Sequence, residues 1–360
     1  MEFIIIMEKI AKKNFKVRDS RFELLRILSI LGIICFHFSL IQREPLFRTL
    51  DNPNWLDLIS SRFYLPLGHT GVFIFVLITG YFMSDKIVTI DKSLRDTWKI
   101  WSQVIFYTFS ILFVRIITGS VTLSKFLSLL LPFSFNKQWF ITSYIILILI
   151  LPLITKSMHD LSQKQFIYFC LLLIFFSNLF QLGNNMFNAG GLGGDGNGFG
   201  LLLPVFFVGY YIRKFGLQVK YKFIISCLFI VLIYLQGILQ FYFKGIEFAD
   251  VSGILPLGLA ILIFLSFLDM KPFYNKYINH IAKSVFPMLI VTGATILPQL
   301  SNLILSIKNI WFENILTILG ALATFFVIVL IDQIRLFIFK IIKNNRYKII
   351  GDLNLSKIIK

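Results

Sequence analysis

The stretch "RFELLRILSILGIICFHF", Arg21 to Phe38, decides how the rest of the chain is interpreted. Its run of Leu, Ile and Phe is long enough for a helix to cross the roughly 30 Å hydrocarbon core of a bilayer. The same run carries Glu23, Arg26 and His37. Ionisable side chains inside a membrane segment are costly unless they pair or line a polar cavity. The stretch therefore predicts a transmembrane helix with a functional role.

The whole chain has the composition of a multi-pass membrane protein. It has 360 residues, of which 57% are hydrophobic, and the apolar residues fall into blocks of about 20, the length that crosses a bilayer. We predict an all-α, polytopic integral membrane protein of about ten transmembrane helices. The predicted spans are 22–41, 63–83, 97–118, 138–155, 165–181, 199–212, 222–242, 251–268, 284–304 and 314–338. Cys35, Cys170 and Cys227 lie in these spans, and we interpret them as core residues.

The net charge of +17 would indicate nucleic acid as a partner of a soluble protein, but the distribution of Lys and Arg here indicates topology. The loops and ends on the side of the termini hold 26 of these residues, and the opposite loops hold 7. Because cytoplasmic loops are enriched in Lys and Arg, we expect a cell-membrane protein with both termini in the cytoplasm. We expect no nucleic-acid partner.

The chain divides into three segments, and neither its two ends nor the short connections between spans are long enough for a separate soluble domain. We predict a basic cytoplasmic N-terminal segment at 1–21, a transmembrane domain at 22–338 and a basic cytoplasmic tail at 339–360. The tail's apolar and basic residues suit contact with anionic lipid. The Gly-rich segment 188–200 is interpreted either as a mobile external loop or as part of the entrance through which an acceptor sugar would reach the protein.

Arg26 and His37 are eleven residues apart, about three helical turns, so both should project from one face about 16 Å apart along the axis. Glu23, three residues before Arg26, should pair with it. Two interpretations of this polar stripe remain open. Both side chains could simply reach interfacial water at the two membrane boundaries. Alternatively they line a cavity, in which an imidazole accepts a proton and a guanidinium binds an oxygen ligand.

A second group of candidates lies near the expected external side. His69 begins the second span at the level of His37, where it either lines an acceptor site or faces interfacial water. Trp139 and Tyr144 are interpreted as an interface anchor and a packing residue. Asp195, Glu247 and Asp250 are external carboxylates that could bind sugar hydroxyls, or are solvated loop charges.

Several stretches resemble the membrane acyltransferase 3 family, whose members acylate extracytoplasmic glycans. "ELLRILSILGIICFH", with Arg26, ten intervening residues and His37, is similar to the family's first-span signature. "GVFIFVLITGYFMSDK" resembles its second span, with Thr79 in place of the usual Ser before Gly80. "WFITSYIILILILPLI", "FFVGYYIRKFG" and "IDQIRLFIFK" resemble later blocks of the family in the same order.

The resemblance implies a membrane O-acyltransferase that moves an acyl group, acetyl by default, from cytoplasmic acyl-CoA to a hydroxyl of a cell-surface glycan. Arg26 would orient the donor, and His37 would act as general base or carry the acyl group. Arg95, Lys99 and Arg213 would bind the donor's phosphates, while His69 and Thr79 complete the expected substrate-binding residues. The donor acetyl-CoA, the glycan acceptor and the bilayer are the expected partners, and we expect no metal.

Two features depart from the family pattern, and one alternative function remains. Arg95 and Lys99 stand where family members often carry closely spaced arginines, and "FPMLIVTG" lacks the family's frequent second histidine. The alternative is an exporter of polysaccharide or lipid-linked sugar without acyl-transfer chemistry. Because deletion of a transferase removes ester groups whereas deletion of an exporter removes polymer, analysis of surface glycan separates the two functions.

Overall fold

The computed structural model describes residues 18–49, 55–117, 139–179, 198–242, 253–292 and 310–352. These residues form helices joined by short turns, and they contain no strand. We number the helices in chain order: α1 Ser20–Thr49, α2 Trp55–Ser61, α3 Gly68–Met83, α4 Ile90–Ile117, α5 Trp139–His159, α6 Gln163–Ile174, α7 Phe199–Phe215, α8 Lys222–Tyr242, α9 Ile254–Asp269, α10 Lys276–Ile281, α11 Val285–Thr292 and α12 Ile310–Asp352.

The structure confirms a helical, multi-pass architecture. Within the described ranges, five stretches are long and apolar enough to cross a membrane: Ser20–Leu40, Leu58–Met83, Trp139–His159, Lys222–Leu239 and Phe312–Ile341. Two shorter apolar helices, Gln163–Ser177 and Ile254–Asp269, accompany them. Every predicted span coincides with a helix at least in part, while the number ten stays a prediction.

Helix α3 lies at the centre of the bundle because its glycines allow neighbouring backbones to approach. A Cβ atom placed on Gly80 would lie 2.0 Å from the Phe206 carbonyl oxygen of α7, and one placed on Gly209 of α7 would lie 2.2 Å from the Leu77 carbonyl oxygen of α3. Small residues on both sides of a crossing permit such approach in membrane helices. The two glycines therefore fix α3 against α7, the most extensively packed helix pair.

The other side of α3 packs against α1. A Cβ atom on Gly71 would meet the Ile33 side chain and the Ser29 carbonyl oxygen, each at 2.8 Å, and a Cβ atom on Gly68 would meet the Phe36 ring at 2.7 Å. These contacts run along the flank of α1 next to Arg26 and His37. The helix with the polar stripe is thus held tightly against α3.

One end of the bundle, here named the basic end, holds the start of α1 and the ends of α3, α7 and α9. Arg21 donates from Nη1 to the carbonyl oxygens of Leu268 and Met270, at 2.9 and 2.5 Å, and so caps the final turn of α9. Ser20 donates to the Asn279 amide oxygen at 3.0 Å. The chain entering α1 is therefore anchored by the segment that joins α9 to α11. We name the opposite end the distal end.

A buried ion pair ties the last helix to the rest of the bundle. Asp332 of α12 is fully buried and accepts hydrogen bonds from the Arg335 guanidinium at 2.5 and 3.1 Å. It also accepts one from the Tyr107 hydroxyl of α4 and one from the Ser284 hydroxyl before α11, both at 2.7 Å. Because the buried carboxylate is saturated with donors, this cluster is a structural joint between three elements.

Three details differ from the sequence-based prediction or lie beyond it. The last predicted span, 314–338, matches the apolar stretch Phe312–Ile341 closely, but helix α12 itself continues to Asp352, and no proline or glycine lies between 338 and Gly351. Cys227 is exposed on α8, so its interpretation as a core residue is wrong, whereas Cys35 and Cys170 are buried. Asp195, Glu247, Asp250 and most of the Gly-rich segment lie outside the described residues.

Candidate active site

Arg26 lies near the basic end of α1 in an ion pair with Glu23. The Arg26 Nη1 atom donates to the Glu23 carboxylate at 2.8 Å, as the i, i+3 spacing predicts. Glu23 is 3% exposed and is also bound by Arg18 at 2.6 Å, whereas the Arg26 side chain is 24% exposed. In the described part of the chain Arg26 has no other hydrogen-bond partner. Its Nε and Nη2 donors are therefore available to a ligand.

His37 lies on the same face of α1, toward the distal end. The uninterrupted helix Ser20–Thr49 confirms the predicted geometry of the stripe, with about 16 Å of axial rise between the two residues. His37 is half-buried as a residue, and its Nδ1 atom is buried without a hydrogen-bond partner among the described residues. Nε2 is therefore the better placed ring nitrogen for chemistry.

The face between these two polar residues is apolar and closed. Ile30 and Ile33, four and seven residues after Arg26, are buried almost completely. Burying a charged group in such surroundings would be costly. The stripe therefore consists of one polar position near each end and a packed apolar stretch between them.

His69 at the start of α3 lies near His37 at the distal end. Its ring stacks on Trp139 of α5, with the ring centroids 5.6 Å apart and an interplanar angle of 24°. Trp139 is half-buried, so its description as a simple interface anchor is incomplete. The structure thus brings His37, His69 and Trp139 together, and a second imidazole comes from α3 instead of from the ninth span.

Thr79 is joined to Tyr144 by a hydrogen bond across α3 and α5. The Thr79 hydroxyl oxygen lies 2.9 Å from the Phe75 carbonyl oxygen and 2.9 Å from the Tyr144 hydroxyl. Because a carbonyl only accepts and a hydroxyl has one proton, Thr79 donates to Phe75 and Tyr144 donates to Thr79. Tyr144, interpreted from sequence as a packing residue, therefore also fixes the hydroxyl of a predicted substrate-binding residue.

The predicted phosphate-binding residues are exposed at the basic end but do not form one cluster. Lys99 pairs with Asp96 at 2.7 Å, and Arg95 of the same helix is exposed. Although partial burial opposes it, hydrogen bonds from Lys99 and a neighbouring lysine lower the pKa of Asp96. Arg213 of α7 pairs instead with Asp85 at 2.9 Å. Among the described contacts, none joins Arg213 to α4.

The contact partners of the predicted site residues could not be identified from the sequence. No motif indicated that His69 stacks on Trp139, or that Gly80 and Gly209, each within a stretch that resembles the family, contact opposite backbones. In the described ranges, no three His, Cys, Asp or Glu side chains lie together as metal ligands do. A requirement for metal stays untested.

The fold and the site together define a multi-pass membrane protein in which ionisable residues lie along one helix inside a helical bundle. The sequence model of the family described as "Acyltransferase domain", the acyltransferase 3 family, matches residues 19–333. The chain belongs to this family and is an acyltransferase. No curated protein matches the chain in a sequence search, and no solved structure matches it.

Proposed function

We propose that the protein is an O-acyltransferase of the cell membrane that moves an acetyl group from cytoplasmic acetyl-CoA to a hydroxyl of an extracytoplasmic glycan. One observation carries the proposal: Arg26 and His37 lie on one face of α1 near opposite ends of the bundle, in a chain of an acyltransferase family. Both termini would then lie in the cytoplasm, consistent with the excess of Lys and Arg on that side.

The donor would bind at the basic end. The free Nε and Nη2 donors of Arg26 suit an oxygen of the thioester carbonyl or of the pantetheine amides, while Glu23 holds the guanidinium in place. Arg95, Lys99 and Arg213 would neutralise the phosphates of the donor in solvent. The face between Arg26 and His37 is apolar and packed. The acyl-bearing arm would therefore reach the distal end only when side chains such as Ile30 and Ile33 move aside, and only an uncharged arm suits such a path.

His37 would perform the transfer at the distal end by one of two routes. As general base, its free ring nitrogen takes the proton of the acceptor hydroxyl while the oxygen attacks the thioester carbonyl, and CoA leaves as the thiol after it receives the proton. As acyl carrier, the same nitrogen attacks the thioester carbonyl first, the C–S bond breaks, and CoA leaves as the thiol with the proton that the ring gives up. The acceptor hydroxyl then takes the acetyl group from the imidazole and returns its proton to the ring. Both routes need an accessible nitrogen on His37.

The first test is the variant His37→Ala, with His159→Ala as control. General base catalysis typically contributes 10² to 10⁴ in rate, so glycan ester content should fall by at least 100-fold while protein abundance stays normal. His159 is exposed at the basic end of α5, and its variant should keep full activity. Equal loss of ester and of protein would indicate a folding role for His37 and contradict the proposal.

The second test is Arg26→Lys, which keeps the charge but removes the planar fork of donors. A donor-binding role predicts weaker binding of labelled acetyl-CoA to purified protein. Normal binding and normal ester content would show that Arg26 only reaches toward interfacial water. If deletion of the gene removes the polymer itself instead of its ester groups, the protein is an exporter.

A further inference from the structure

A buried polar cluster lies at the distal end, where the segment after α2 meets the start of α12. The Tyr64 hydroxyl donates to the backbone oxygen of Asn314 at 2.7 Å, and the Asn314 side-chain nitrogen donates to the Ser60 hydroxyl at 3.0 Å. Tyr64, Ser60 and Asn314 are 2%, 2% and 7% exposed. We name these three residues the distal cluster.

Two charged residues are buried beside the distal cluster. Arg62 lies between Ser60 and Tyr64, Glu313 directly precedes Asn314, and each is 6% exposed. Apolar residues would fill this position at much lower cost, because burying a guanidinium and a carboxylate at the end of a membrane bundle is expensive.

The Asn314 amide has one polar atom without a partner. Its Oδ1 is buried and accepts no hydrogen bond in the described part of the chain. If the amide were turned over, the oxygen would meet Ser60 and the nitrogen would be left alone. In either orientation one amide atom is unsatisfied, which costs about 1–3 kcal/mol. A ligand hydroxyl, which both donates and accepts, would satisfy it in either orientation.

The distal cluster lies at the same end of the bundle as His37. Leu65, which follows Tyr64, packs in one apolar cluster with Phe36, the neighbour of His37. Leu67 contacts α1 at Gly32, where a Cβ atom would lie 3.2 Å from the Leu67 side chain. His69 follows two residues later. A molecule bound at the distal cluster would therefore lie on the side of the bundle where His37 acts.

We infer that the distal cluster is the acceptor-binding subsite, in which the Asn314 amide hydrogen-bonds a hydroxyl of a carbohydrate, with Ser60 and Tyr64 holding the amide in place. The inference rests on the proposed function and adds the residues that recognise the acceptor. Carbohydrates present adjacent hydroxyls, each a donor and an acceptor, and an amide fixed by its neighbours matches them. The unpaired atom is buried, so the acceptor hydroxyl would reach it only when the neighbouring side chains separate, and it would then be shielded from bulk water.

The experiment replaces the amide with an apolar side chain of similar size. The single variant Asn314→Leu keeps the backbone oxygen that accepts the Tyr64 hydrogen bond. The double variant Ser60→Ala/Asn314→Leu also removes the Ser60 hydroxyl, to which the amide donates. Asn314→Leu removes an unsatisfied amide oxygen, which favours the variant, and the hydrogen bond to Ser60, which disfavours it. We therefore expect both variants to melt closer to the parent protein than Asn279→Leu does.

Three measurements are made on the two variants and the parent. These are the alkali-released acetate of the surface glycan from cells, the binding of ¹⁴C-acetyl-CoA to purified protein, and the melting temperature in detergent. Loss of one or two hydrogen bonds to the acceptor predicts about a 10-fold or greater fall in ester content. Donor binding should stay within twofold of the parent.

Asn279→Leu is the matched control, because this buried amide at the basic end has both of its polar atoms bonded, to Ser20 and to the Arg18 backbone. It should lower the melting temperature. If Asn314→Leu keeps normal ester content, or lowers the melting temperature as much as Asn279→Leu and loses donor binding as well, the distal cluster is structural and the inference is wrong. The proposed function fails by a different result, namely normal ester content in His37→Ala.

Discussion

Adding a single methyl group at Gly80 should separate α3 from α7. In Gly80→Ala the new Cβ would lie 2.0 Å from the Phe206 carbonyl oxygen, and ordinary contact begins at 3.4 Å. The two backbones would therefore have to move apart by about 1.4 Å, the difference between these distances. Because the obstructing atom belongs to the backbone, no side-chain rotation relieves the contact. Overpacking of this kind typically costs about 1–3 kcal/mol.

The assay is the melting temperature of the purified protein in detergent, which should fall by about 2–10 °C. Gly200→Ala is the control, since it lies on the same helix α7 and an added Cβ would meet nothing within 4 Å. This control should be neutral or slightly stabilising, because alanine favours helix over glycine. The packing argument is refuted if Gly80→Ala melts at the same temperature as Gly200→Ala.

Three further variants test the polar contacts inside the bundle. Asp332→Ala leaves the buried Arg335 without its carboxylate, which should lower the free energy of unfolding by about 3–5 kcal/mol. The loss should appear as low abundance of the protein in membranes. Abundance and melting temperature equal to those of the parent would contradict the structural role of the Asp332 cluster. Thr79→Ser keeps the hydroxyl that Tyr144 binds and should keep full ester content, whereas Thr79→Val should lose about 1 kcal/mol of stability. Equal melting temperatures for the Ser and Val variants would show that the hydrogen bond contributes nothing.

The positions of the helices could be predicted because bilayer thickness imposes a fixed apolar length on each span. Span boundaries were less predictable. The last span was predicted at 314–338 and the apolar stretch of α12 is Phe312–Ile341, whereas the helix itself continues to Asp352, since a basic segment can remain helical after leaving the apolar region. The exposure of Cys227 was also unpredictable, because the lipid-facing and buried sides of an all-apolar helix have the same composition.

The polar stripe of α1 could be predicted because helical periodicity alone places Arg26 and His37 on one face. Contacts between helices could not, because they depend on which faces meet. The stack of His69 on Trp139 and the crossing of Gly80 over α7 join residues far apart in sequence. Asn314 carried no sequence signal, since a single asparagine at a helix start is ordinary and only its burial against Ser60 makes it distinctive.

The most direct test of the central claim uses sealed inside-out membrane vesicles that contain the acceptor glycan. ¹⁴C-acetyl-CoA is supplied only to the outer solution, which corresponds to the cytoplasm, and label is then counted in the enclosed glycan. The account predicts labelled glycan with the parent protein and at least 100-fold less label with His37→Ala. Equal labelling with His37→Ala, or labelling that requires acetyl-CoA inside the vesicles, would contradict it.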